Sequence, residues 1–164
     1  MKKTYSTTAF VVFLIFCVNG AQAQTADSNL NQIELMKNSL GLWQTLVNND
    51  TIEYWDQQQY GHGFIVNAYQ VVQGKTIPQH INIYSFDPRI GKFKGFIMWQ
   101  KEGFATWVGS FTTEMKYHVD FAADYNPEKV WGSFDMIFTD STSRTHLHFV
   151  NNKKKHEEVF TRVK

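Results

Sequence analysis

From about residue 42 onward, the chain is a series of about ten short strand-like runs joined by turn residues, with no room between them for crossover helices. The runs recur about every eight to twelve residues and are rich in Val, Ile, Thr and aromatic residues, which favour extended structure. Links this short connect antiparallel neighbours. An open sheet of so many strands would expose hydrophobic edges, whereas closure into a barrel removes them. The sequence therefore predicts an all-β fold, an antiparallel up-and-down β-barrel of about ten strands.

Turn residues mark the ends of the predicted strands. The clearest turn is Asp87-Pro88-Arg89-Ile90-Gly91, because proline presets φ, aspartate caps its own backbone and glycine accepts a left-handed conformation. Barrels of about eight strands or more are wide enough to hold a small ligand. The predicted strands are 42–49, 52–58, 64–72, 77–86, 93–100, 104–112, 117–122, 130–138, 144–150 and 157–163.

The N-terminal segment has the pattern of a secretory signal peptide. Lys2 and Lys3 precede the apolar run 9–18, and Ala21-Gln22-Ala23 forms a small-x-small cleavage site. We therefore predict a signal peptide at 1–23, a barrel domain at 24–164, and export to the periplasm or the cell exterior. The single cysteine, Cys17, lies in the signal segment, so the mature chain would contain no disulfide.

Charge and hydropathy limit the partners of the mature chain. Without the two signal-segment lysines, the 16 basic residues fall to 14 against 15 acidic residues, a balance that gives no indication of a nucleic-acid partner. No window after residue 24 is apolar enough for an integral membrane segment. A small apolar ligand or a second copy of the chain is the expected partner.

A short N-terminal helix is predicted between Thr25 and Asn38. Apolar residues recur at spacings of three and four and so share one face: Leu30, Ile33, Met36 and Leu40. Ser28 or Asp27 would cap its start. A single apolar stripe must pack against something, and the end of the barrel is the expected site.

Two motifs at the ends of the barrel domain resemble a known superfamily. Gly41-Leu42-Trp43 opens the first strand directly after the helix, and Phe160-Thr161-Arg162 closes the last. These motifs resemble the lipocalin (calycin) signature. With the hairpin at 84–92, the domain resembles a family of secreted bacterial lipocalin-like proteins of uncharacterised function. The resemblance implies that Trp43 plugs one end of the barrel and that Arg162 packs across its ring, a cation–π contact of about 0.5–2 kcal/mol.

The resemblance implies no cofactor. The haem-binding nitrobindins share a similar barrel, but their glycine-rich repeat after the tryptophan is replaced here by Gln44-Thr45-Leu46-Val47.

Aromatic residues make up 16% of the chain, and most fall on predicted strands. Aromatic walls with few polar anchors are the usual form of a small-molecule site. We therefore predict a barrel that binds a small apolar or aromatic molecule at the end away from Trp43. Its predicted lining is Tyr54, Tyr69, Tyr84, Trp99, Trp107, Trp131 and Phe134. Two alternatives stay open: the rings fill a solid core, or rings on both faces of strands, as in 96–99, form a surface for a partner or a second copy.

His146 and His148 are two apart on a predicted strand and share a face, so both imidazoles could reach one metal ion. No third ligand has a fixed place in the sequence. Leu147 and Phe149 occupy the alternate face, which favours histidines that point to solvent, and no metal site is predicted. His118 and Asp120 favour a surface ion pair over an acid–base pair.

No catalytic motif stands out. The chain has no G-x-S-x-G elbow, phosphate-binding loop or dinucleotide fingerprint. A hydrolase or isomerase with a histidine and a carboxylate at the barrel mouth is the remaining enzyme hypothesis, and no catalytic residue is assigned.

Overall fold

Ten antiparallel strands close into a barrel in the computed structural model, which describes residues 30–101 and 103–163. Each strand pairs with its sequence neighbours, and β1 pairs with β10 to complete the circle. The predicted fold class is therefore confirmed. The strands are β1 (Gly41–Asn48), β2 (Thr51–Tyr60), β3 (Gly63–Val72), β4 (Lys75–Asp87), β5 (Lys92–Trp99), β6 (Gly103–Thr113), β7 (Lys116–Ala122), β8 (Val130–Phe138), β9 (Ser143–Val150) and β10 (Lys153–Arg162).

The turn after β4 forms as its sequence predicts. The Asp87 carboxylate accepts hydrogen bonds from the backbone N–H of Arg89 at 3.1 Å and from its Nε at 2.9 Å, and Gly91 has φ +66°. The last strand is longer than predicted, since β10 begins at Lys153 rather than at residue 157. Residues 153–157 are exposed and polar, and a strand whose side chains stay in solvent carries no hydrophobic alternation.

A short helix, α1 (Gln32–Lys37), lies just before the barrel, and Asn31 caps it through a hydrogen bond from the Glu34 N–H. The helix packs on β6, where the Gln32 side chain donates to the Phe111 carbonyl at 3.1 Å and accepts from its N–H at 2.7 Å. Met36 is buried as the apolar stripe predicts, but Ile33 is exposed and Gln32 takes its place against the barrel.

Part of the N-terminal prediction lies outside the described residues. This is so for the predicted signal peptide at 1–23 and for the candidate caps Asp27 and Ser28. Within the described residues, the prediction of one continuous helix from Thr25 is wrong, because Leu30 and Asn31 are not helical and α1 begins at Gln32 with Asn31 as its cap. In the part of the chain that is described, no helix has the length and apolar character needed to span a membrane.

The end of the barrel beside α1, where β1 begins and β10 finishes, is called here the closed end. Trp43 is wholly buried there, and its Nε1 donates to the Ser39 carbonyl at 2.8 Å. The Arg162 guanidinium lies 4.5 Å from the Trp43 ring centroid and donates to the carbonyls of Leu40 at 2.7 Å and Asn38 at 2.6 Å. These contacts tie the first strand, the last strand and the helix together. The closed-end core also contains Met36, Phe64, Phe93, Phe111, Phe138 and Phe160.

Candidate functional site

The barrel contains a cavity of about 470 Å³ that extends from Met36 of α1 towards the opposite end of the barrel. Small-molecule sites in proteins usually have volumes of about 300–1,000 Å³, so this space matches a small organic ligand. The interior is thus packed at the closed end and hollow towards the other, called here the open end. The apolar part of the lining includes Trp55, Val66, Ile97, Trp99, Trp107, Val119, Phe121 and Phe134.

The cavity reaches the surface at the open end. Trp131 and Val150 line it, and they are 47% and 39% exposed. Trp131 stacks on Phe121, with ring centroids 5.3 Å apart. A ligand that enters here would pass between aromatic side chains before it meets the deeper polar groups.

The floor of the cavity carries a buried polar cluster. Gln57 Nε2 donates to Tyr84 Oη at 2.6 Å and also to Ser39 Oγ, while Ser39 Oγ donates to the Met36 carbonyl at 2.5 Å. Burial raises the pKa of Tyr84, so its hydroxyl stays protonated. The Tyr84 hydroxyl donates to the Met36 sulfur, with 3.4 Å between oxygen and sulfur. Sulfur is a weak acceptor, so a ligand oxygen would be a stronger partner for this hydroxyl.

Two further polar groups lie on the cavity wall. Trp107 Nε1 donates to Asn82 Oδ1 at 2.9 Å, and this hydrogen bond fixes the orientation of the Asn82 amide. The Tyr117 hydroxyl is buried and has no hydrogen-bond partner among the described residues. A ligand polar atom within reach would satisfy that hydroxyl.

Five of the seven residues predicted to line a pocket do so: Tyr84, Trp99, Trp107, Trp131 and Phe134. The placement of Tyr54 and Tyr69 in the lining is wrong. These two rings stack on each other outside the barrel, with centroids 5.2 Å apart. Trp43 pairs with Trp55 across β1 and β2, and opposed residues share a face, so Trp55 points inward and Tyr54 outward.

The expectation that His146 and His148 point to solvent is also wrong. His146 is fully buried, with Phe160 at 4.3 Å and Trp55 at 4.7 Å between ring centroids, and His148 lines the cavity. The inward face of β9 is the polar one, and aromatic rings of the neighbouring strands β8 and β10 cover His146. Burial lowers the pKa of His146 well below its usual value, and the nearby Arg144 charge adds to this effect.

Histidines and one carboxylate lie near the cavity mouth. Glu158 lies 3.7 Å from His148 Nε2 and 3.0 Å from His156 Nε2. Burial opposes the charge on Glu158, but the two imidazoles outweigh it and lower the pKa of this carboxyl. Burial lowers the pKa of His80 to about 4, and its Nε2 has no hydrogen-bond partner among the described residues. Across the described residues, no three His, Cys, Asp or Glu side chains are grouped to hold a metal ion.

Arg144 is the interior residue that sequence reasoning missed most completely. Its guanidinium is fully buried and lies 4.2 Å from the Trp43 ring centroid, so this ring contacts both Arg144 and Arg162. The sequence does show that Arg144 lies two residues before His146, so the two side chains share one face of β9. An arginine in an alternating strand normally indicates the solvent side.

His118 lies outside the cavity and joins two carboxylates on the outer face of β7 and β8. Its Nδ1 is 2.6 Å from Asp135 Oδ1, and its Nε2 is 3.1 Å from Asp120 Oδ1. Lys116 completes the cluster with Nζ 3.0 Å from Asp135 Oδ2. Hydrogen bonds to Asp120 and Asp135 raise the pKa of His118 to about 9. The group is a surface ion cluster that links β7 to β8.

This cluster should make stability depend on pH. Because the pKa of His118 is about 9 in the fold against a usual 6.5, its contribution is complete below pH 6.5 and is lost as the pH rises through 9. After allowance for solvent screening, the loss should be about 1 kcal/mol. Urea unfolding at pH 6 and pH 9.5 would measure it. His118→Gln should reduce the fall in the free energy of unfolding between the two pH values. The control His62→Gln, on an exposed turn, should leave that fall unchanged. An equal fall in both variants would contradict the role of His118.

These features define the class of protein: a closed ten-stranded antiparallel barrel with a packed closed end and a cavity towards the open end, an architecture compatible with a lipocalin-like fold. No model of a known protein family matches the sequence, and a search of curated proteins returned no match. The fold and the geometry of the cavity therefore carry the functional argument.

Proposed function

We propose that this protein is an exported, lipocalin-like carrier or receptor that binds a small apolar or aromatic molecule inside its barrel. The observation that carries the proposal is the cavity of about 470 Å³, which reaches the surface at the open end. Its wall is mainly aromatic and aliphatic, with a few polar groups at fixed positions, as is usual for small-molecule sites. The proposed export rests on the signal-like segment 1–23, with domain 24–164 as the mature barrel.

A neutral fluorescent probe tests the binding proposal. N-Phenyl-1-naphthylamine is aromatic and uncharged, and its emission rises when it leaves water. Ile97 is buried and lines the cavity, so Ile97→Trp should fill part of the space and weaken binding by about tenfold or more.

Ile83→Trp is the matched control, because Ile83 is exposed on the outer face of the neighbouring strand. It should leave the affinity of the probe unchanged. Equal affinities for the wild type and both variants would show that the probe binds outside the cavity. Either that result or the absence of binding to the wild type would contradict the proposal.

A second candidate function rests on the outer face of β4, β5 and β6. Ile83, Met98 and Phe104 are exposed there, and Phe96 stacks on Phe104 with centroids 5.3 Å apart. Register pairs Ile83 with Phe96 and Met98 with Phe104, so these side chains are contiguous. This surface favours self-association. Sedimentation velocity would test it: a dimer that Met98→Lys dissociates supports this function, and a monomer at all concentrations excludes it.

A further inference from the structure

Arg144 places a positive charge inside the barrel without an anionic partner among the described residues. Its Nε, Nη1 and Nη2 are all buried and make no hydrogen bond there. The neighbouring rings of Trp43, at 4.2 Å, and Phe160, at 5.7 Å, attract a cation but accept none of the guanidinium N–H donors in its plane. A buried charge of this kind is costly alone and strongly stabilises a negative group brought near it.

The charge of Arg144 lies next to a ring of the cavity wall. The guanidinium carbon is 5.8 Å from the ring centroid of Trp55, whose ring lines the cavity. The Arg144 charge is also close enough to Tyr84 to favour a lower pKa for that phenol. Burial has the larger effect, and it raises the pKa of Tyr84. Tyr84, a hydroxyl donor on the floor, thus lies in the field of a cation, and Tyr117 is a second buried hydroxyl on the cavity wall.

The negative charges of the interior lie towards the open end. Glu53 accepts hydrogen bonds from Trp55 Nε1 at 2.7 Å and from Gln70 Nε2 at 2.9 Å. Glu158 lies with His148 and His156, further along β10 from the closed end than Arg144 is along β9. A bound molecule with one charged end would therefore be oriented by the interior, with its negative end on the floor.

We propose that the ligand is an organic anion, with an apolar or aromatic body and one carboxylate- or sulfonate-like end, and that this end lies at the hydroxyls of Tyr84 and Tyr117 in the field of Arg144. This proposal rests on the proposed binding function. The Tyr117 hydroxyl is unpartnered, and the Tyr84 hydrogen is held only by a sulfur, so both can donate to the anion. The body of the ligand would lie against Trp107, Val119 and Phe134.

Two probes with the same ring skeleton separate charge from shape. 8-Anilinonaphthalene-1-sulfonate carries a sulfonate, and N-phenyl-1-naphthylamine does not. The wild type should bind the sulfonate about tenfold or more tighter, as one charge-assisted contact provides. Arg144→Met keeps an apolar side chain of similar length and should reduce the preference to about threefold or less, without change in the affinity for the neutral probe.

Arg162→Met is the matched control, since it removes the same charge from the other side of Trp43, next to backbone carbonyls rather than the cavity. It should keep the preference. The preference should also persist in 0.5 M salt, because a buried charge is screened much less than surface lysines. If Arg144→Met does not fold, Tyr117→Phe tests the same site, since it removes one hydroxyl donor from the cavity wall. It should weaken binding of the sulfonate probe by about threefold and leave the affinity for the neutral probe unchanged.

The outcomes separate the two proposals. A wild type that binds the neutral probe as tightly as the sulfonate overturns the anion proposal and leaves the binding function standing. A preference that salt abolishes, or that Arg144→Met leaves intact, also overturns it. A wild type that binds neither probe contradicts the proposed function itself.

Discussion

Replacement of Trp43 by alanine is expected to lower the free energy of unfolding by about 3–5 kcal/mol, as for other buried large-to-small changes. Trp43 is wholly buried, and its indole N–H is satisfied by the Ser39 carbonyl at 2.8 Å. The change would also remove the ring between two guanidinium groups, at 4.2 Å from Arg144 and 4.5 Å from Arg162. Two cations would then face each other without the ring that attracts both.

Urea unfolding followed by far-ultraviolet circular dichroism measures this loss. Trp131→Ala is the control, since Trp131 is 47% exposed at the open end and should cost no more than about 1 kcal/mol. Trp43 does not line the cavity, so the affinity for the neutral probe should survive in the folded variant. Similar losses for the two tryptophans would show that Trp43 does not anchor the closed end.

Replacement of Gly95 by alanine is the second large expected effect, a loss of about 1–3 kcal/mol from overpacking. Gly95 lies directly opposite Trp107 across β5 and β6, and the indole covers the glycine so closely that a Cβ there would overlap it. The ring has little freedom to move, because its Nε1 donates to Asn82 Oδ1 at 2.9 Å and Tyr84 packs at 5.2 Å. A displaced Trp107 would also change the cavity wall.

A double-mutant cycle identifies the cause of this loss. Trp107→Leu removes the overlapping ring, so Gly95→Ala should cost less than about 1 kcal/mol in that background. Urea unfolding of the wild type, both single variants and the double variant gives the coupling free energy. A cost for Gly95→Ala that is the same with and without Trp107 would exclude the overlap as its origin.

The sequence by itself determined the architecture of this protein. Alternation of apolar residues, turn residues at short intervals and the absence of crossover lengths leave a closed antiparallel barrel as the fold that hides its edges. The turn at Asp87-Pro88 could be predicted for the same reason, since its geometry depends on its own residues. Local physics was sufficient wherever the determining contacts lie within a few residues.

The identity of the inner face had to come from the tertiary structure. Period-two alternation states which residues share a face, but not which face is inside. Tyr54 and Trp55 are both aromatic, and only the register of β1 with β2 places Trp55 inside and Tyr54 outside. On β9 the same ambiguity misled the prediction, because Arg144 and His146 are polar and yet fully buried.

Whether the aromatic interior is solid or hollow was also a tertiary outcome. Large rings meet at the closed end, where the Phe138 ring centroid lies 6.3 Å from those of both Trp43 and Phe111, and the helix adds Met36. Towards the open end, smaller residues such as Val66, Ala105 and Val119 face inward, and a cavity of about 470 Å³ remains. The volume left inside a barrel is the difference between the space that strand number and tilt enclose and the side chains that happen to converge there. Residues from all around the barrel contribute to that difference, so no single stretch of sequence contains it.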